Sequence, residues 1–112
     1  MYLSIVLTAP APGTVLVRGD MTFEILHNII VLSEGHGFLS TSSTECSTLG
    51  SGDIFVSIPA TAPTGRYVLP LSLSRRFNVA AGTSTFYMNF SQSSGGGINV
   101  LAGGMDLAFN PD

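Results

Sequence analysis

The residues that could do chemistry in this chain are few and scattered. His27 and His36 are the only imidazoles and Cys46 the only thiol; Arg18, Arg66, Arg75 and Arg76 form the whole basic complement, with no lysine. Nucleophilic catalysis needs a Ser or Cys beside a base that a third group orients. Serines are plentiful, but no Gly-x-Ser-x-Gly elbow occurs. His27 falls on the inward phase of a strand-like run and is expected to be a hydrogen-bonded core or interface histidine. His36, in SEGHGF, is placed in a loop. Glu34 and His36 could meet one metal together, yet two ligands make no site and no third stands nearby. Glu45 and Asp53 could offer oxygens to calcium, but without the Asp-x-Asp-x-Asp-Gly pattern. Cys46 reads as a buried small residue, with no internal disulfide or cysteine metal cluster available to it. The SSGGGIN stretch lacks the Lys-Ser/Thr of a phosphate loop and reads as a hairpin turn. No catalytic residue, metal site or cofactor is expected, and the chain is not read as an enzyme.

Two motifs point to recognition instead. Arg18-Gly19-Asp20 spells the tripeptide that adhesion receptors read. They need it at an exposed loop tip, where the carboxylate completes a metal site and the guanidinium reaches a second acid. Apolar residues hold the odd positions from Val15 through Ile25, straight across Gly19. A two-residue hairpin at Gly19-Asp20 would pair Val17 with Thr22 and mix the faces, so it is disfavoured. Two placements remain: a strand running through with Arg18 and Asp20 facing solvent, or a three-residue recognition loop formed by Arg18, Gly19 and Asp20. The incidental reading is preferred, with both charges simply guarding an edge. Asn89-Phe90-Ser91 formally matches a glycosylation acceptor, but inside a strand it is discounted.

The elements that must position these residues are strands. Period-two apolar alternation recurs along the chain, punctuated by turn residues every ten or so positions. Leu3, Ile5 and Leu7 mark the first strand and Pro10 to Gly13 a turn. The apolar phase continues to Val31, longer than one ordinary strand. Residues 33 to 53 are polar and Gly-rich, with one short strand around Phe38-Leu39. Asp53 to Pro59 is a strand; Pro70 demotes RYVLPLSLS to an edge or bulged strand. Strands follow in TSTFYMNFSQ, INVLA and MDLAFNP, with Gly103-Gly104 turning the chain. The 112 residues form one domain, 1–112. Its expected fold is all-β, a two-sheet antiparallel jelly-roll sandwich of 8 to 10 short strands.

Composition narrows the partners. Hydrophobic residues make up 45% and charged ones 10%, with a net charge of −3. Four arginines cannot neutralise a run of phosphates, which argues against nucleic acid. Ile29 to Leu32 is far short of a membrane span, so no membrane insertion is expected. Residues 1–12 lack the positive charge and apolar length of a cleavable leader. A charge-poor surface with much apolar area is expected to be covered by a partner, first of all by itself. Tyr87, Leu107 and Phe109 are apolar beyond what one core face needs and are assigned to that interface.

Two stretches, RRFNVAAGTSTFYMNF…GGGINVLAGGMDLAFNP and LTAPAPGTVLV, resemble compact jelly rolls of the C1q/TNF-like type. The likeness covers about half the chain and lies in strand, turn and glycine patterns. It implies a homotrimer around a threefold axis, as in fibre heads, virion surface proteins and secreted ligands. The chain shows no collagen-like or coiled-coil stalk before the jelly roll. That departure favours a virion decoration (cement) protein or a detached fibre tip, located on a virion surface or extracellularly. Its partners would be a capsid, fibre or cell-surface protein or glycan. The alternative is a carbohydrate-binding or adhesion module, for which Tyr2, Tyr67 and Tyr87 are the available aromatic platforms.

Overall fold

A computed structural model describes residues 2–44, 53–94 and 97–112. Among them stand seven strands and no helix: β1 (Tyr2–Ala9), β2 (Gly13–His27), β3 (Ser33–Ser40), β4 (Asp53–Ile58), β5 (Gly65–Val79), β6 (Gly82–Ser94) and β7 (Ile98–Pro111). Fewer and longer strands than expected carry the fold. Gly103-Gly104 does not turn the chain but lies within β7, and Arg76 to Val79 continues β5. A 15-residue strand spans roughly 50 Å, which sets the 52 Å long axis of the molecule.

The strands form two antiparallel sheets, ordered β1-β6-β3-β4 and β5-β2-β7. The pairing is nested: β1 pairs with β6, β2 with β5 and β3 with β4, each antiparallel. Pairing of β3 with β6 then joins the outer and inner pairs into one sheet, and β7 takes the remaining edge of β2. Pro70 sits opposite Thr22 on β5, an edge strand. There its missing N–H need not leave a ladder partner unpaired.

β2 is the spine of the core. Its odd positions from Gly13 to His27 are all buried, as alternation demands of a strand with one face on the core. Val15, Val17, Met21 and Phe23 pack with Leu71 and Leu73 of β5, Leu39 of β3, and Phe86 and Met88 of β6. Phe23 packs on Phe90 at 4.6 Å and Phe77 on Phe86 at 5.0 Å between ring centroids. Each such side chain, fully buried, stabilises the fold by about 1.5–3 kcal/mol. Gly19 makes room for Met88 of the facing sheet: a Cβ placed on it would overlap the Met88 sulfur.

The inward phase stops at His27 rather than Val31. Asn28 to Leu32 forms an exposed turn, with Val31 N–H donating to the Asn28 carbonyl at 3.2 Å. Ile30 sits there at φ 71°, a left-handed conformation costly for a β-branched residue. The Gly-rich region after it also departs from expectation. Ser33 to Ser40 is one strand, paired on both sides, and His36 is a buried strand residue stacked on Phe55 rather than a loop residue.

Candidate functional site

The even positions of β2 place Arg18, Asp20 and Glu24 on the outer face of the three-stranded sheet. Strand register brings each a partner. Arg18 stands opposite Asp106 of β7, and Asp20 opposite Ser72 of β5. Arg18 donates from Nε to Asp106 Oδ1 at 2.9 Å and from Nη2 to Oδ2 at 3.4 Å. Ser72 Oγ donates to Asp20 Oδ1 at 2.8 Å. Farther along, Arg66 Nε donates to Glu24 Oε2, and Asn99 Nδ2 to Glu24 Oε1 at 3.3 Å. The hydrogen bond from Arg66, then that from Asn99, holds the Glu24 carboxyl below its ordinary value.

A shallow concavity of about 650 Å³ runs over Arg18, Asp20, Ser72, Ser74 and Asp106. Arg18 and Asp106 are paired across strands, and their side chains stay 60% and 63% exposed. Pairs so exposed contribute about 0–1 kcal/mol each. They fix sheet register and surface polarity more than stability. The three-residue recognition loop is therefore not what forms: Arg18, Gly19 and Asp20 lie mid-strand in β2, with a strand hydrogen-bonded on each side. Gly19 turns inward against Met88, where the sheets leave no room for a side chain.

The other sequence-level candidates fall apart in space. His27 is buried at the end of β2, with Nδ1 2.9 Å from Ser33 Oγ and Nε2 donating to the Ala62 carbonyl at 3.2 Å. It ties β2 to the start of β3 and to the turn before β5, as a core histidine would. Glu34 and His36 share the outward face of β3 two residues apart, and the described residues hold no group of three metal-ligating side chains. Glu45 and Cys46 lie outside the described residues, and Asp53 opens β4. Asn89 is 3% exposed and donates to the Ser42 carbonyl at 2.8 Å, a poor position for a glycan. Tyr67 is half-buried, with its hydroxyl donating to the Pro63 carbonyl at 2.8 Å.

Tyr87, Leu107 and Phe109 are not brought together. Tyr87 is half-buried on the outward face of β6, in register with Ser4 and Ser40. Leu107 and Phe109 lie half-buried on the inward row of β7, and Leu107 packs against the core. One residue escaped the sequence reading. Arg75 donates from Nη1 to the Leu39 carbonyl of β3 at 2.8 Å. Its guanidinium lies 5.3 Å from the Phe38 ring centroid and 4.8 Å from that of Phe77. The signal was present: Arg75 sits on the same odd phase as Leu71, Leu73 and Phe77.

Apolar surface remains at one end. Ile29, Ile30, Val31 and Leu32 are 51%, 85%, 42% and 39% exposed, four large apolar side chains in a row. No family model, no curated protein and no solved structure matches the chain.

Proposed function

We propose that this chain is a non-catalytic structural and interaction protein, a homotrimeric jelly roll displayed on a particle surface as a decoration protein or fibre tip. The jelly-roll reading is supported by the nesting of β1–β6, β2–β5 and β3–β4, the order of a hairpin ribbon rolled on itself. The β3–β6 pairing is what such rolling would bring about. In this reading the described residues supply six of the usual eight strands, and β7 is an addition on the edge of β2.

The observation that carries the function is the contrast between two surfaces. On the outer face of β5-β2-β7 Arg18 pairs with Asp106, Arg66 with Glu24, and Asp20 accepts from Ser72, while the turn at Asn28 to Leu32 presents an apolar end that includes a left-handed Ile30. Exposed contiguous apolar surface favours a protein partner, and strained backbone collects where contact is made. Copies assemble side by side, and that end docks on the particle. Co-sedimentation with capsid or fibre particles from the source that encodes the chain, run beside a glycan array, tests this. Saturable particle binding that Ile30→Asp abolishes is the expected result. Glycan binding without particle binding would overturn it in favour of a carbohydrate-binding module.

A further inference from the structure

The two sides of the sandwich are finished differently. On one side stand β4 and β5. β4 is 6 residues long, and β5 carries Pro70 near its middle and three of the four arginines. Arg75 reaches from β5 to the Leu39 carbonyl of β3. Proline and cations are devices that keep an edge from pairing with a foreign strand. On the other side stand β1 and β7, the edge strands of their sheets among the described residues, packed one over the other. β1 reads YLSIVLTA, without a charge, a proline or a glycine. The one charged side chain of β7, Asp106, is paired with Arg18. Leu3, Ile5 and Leu7 of β1 and Met105 and Leu107 of β7 pack against the core yet stay half-buried. Val6, on the outward face of β1, is 59% exposed.

We infer that the β1 edge, with the β1/β7 side behind it, is the surface on which a second copy of this chain docks, adding one of its own strands to the four-stranded sheet. The inference rests on the self-assembly proposed above and gives it a location. An uncovered edge presents N–H and C=O groups in series, and an extended strand is the partner that satisfies them in series. β1 offers no charge to steer an acidic or basic partner. With Asp106 neutralised, an identical copy meets no like charge on this side despite the net −3. Size is adequate too. A side roughly 26 Å long and 18 Å deep covers roughly 500 Å² per copy, near the total of about 1,000 Å² that a specific contact needs.

Val6→Lys tests this, because the position is exposed in the single chain and a lysine on an edge strand discourages pairing. Val68→Lys places the same charge on β5, at a side chain 45% exposed. Mass is followed by sedimentation velocity over a dilution series, with circular dichroism confirming the fold of each variant. The expected result is that Val68→Lys dissociates as wild type does, while Val6→Lys dissociates at concentrations at least tenfold higher. If Val6→Lys does not fold, Ser4→Lys, exposed on the same face of β1, is read in its place. Assembly of the β1 variant indistinguishable from wild type would overturn the docking edge and leave self-assembly standing. A wild-type chain that is monomeric throughout would overturn both.

Discussion

Gly19→Ala separates packing from recognition at the Arg-Gly-Asp tripeptide. The substitution leaves both charges in place and adds one methyl group on the inward face of β2. That methyl would overlap the sulfur of Met88, which is 0% exposed and enclosed by the core. Overpacking of this kind costs about 1–3 kcal/mol. Restricting the unfolded chain by replacing glycine returns about 0.4–1 kcal/mol, and methionine yields more readily than a branched side chain. The net expected loss is about 1–2 kcal/mol. With a urea slope of about 1–1.5 kcal/mol per molar, the unfolding midpoint falls by about 1 M at fixed protein concentration. Met88→Ala costs about 2–5 kcal/mol alone, and in that background Gly19→Ala becomes neutral or stabilising, a coupling within the range seen for touching residues. An unchanged midpoint for Gly19→Ala in the wild-type background would refute the claim that the glycine is there to let the sheets close.

Three further outcomes are expected. Asp20→Ala leaves cell attachment unchanged and shifts stability by less than about 1 kcal/mol, because the residue lies mid-strand and loses one exposed hydrogen bond from Ser72; a loss of attachment in an adhesion assay would contradict this. Arg75→Ala destabilises by about 2–3 kcal/mol and Arg75→Lys by about 1–2 kcal/mol, since lysine keeps the charge but not the planar stack on Phe38 and Phe77. Exposed Arg76→Ala, within about 0.5 kcal/mol of wild type in the same urea titration, is the control. Glu24 has a folded-state carboxyl held below 4.5 by Arg66 and Asn99. Its contribution is therefore present above that value and lost as pH falls through the lower folded value. Wild type should lose more stability than Glu24→Gln on acidification from about pH 6 to about pH 3, so the gap between their urea midpoints narrows.

The sequence was most readable where alternation was strict. The odd phase from Val15 to His27 named the inward face of β2, including its terminal histidine, and Pro70 marked an edge strand. It misled where glycine served packing rather than turning. Gly35 and Gly37 face inward in β3, where a Cβ would press on Phe90 at 2.9 Å and on Leu71 and Leu73 at 3.3 Å. A run rich in glycine and serine thus became a strand paired on both sides, although its composition resembles a loop. Gly103-Gly104 misled similarly within β7. For the tripeptide, alternation left two placements open because a three-residue loop preserves phase as well as a through-strand does. Only the pairing of β2 with both β5 and β7 selects between them. Arg75 was missed because it was counted only as one of four arginines and its place on the apolar phase was not weighed. The Leu39 carbonyl it reaches lies on β3 of the other sheet, a contact that only the packing of the two sheets creates.

The central claim is self-assembly, and solution mass by size-exclusion chromatography with light scattering, across a tenfold dilution, tests it most directly. The account predicts a stable particle at three times 11.7 kDa on both sides of the dilution. A particle of 11.7 kDa at every concentration would contradict it. The half-buried rows of β1 and β7 would then be the finished rim of a single chain.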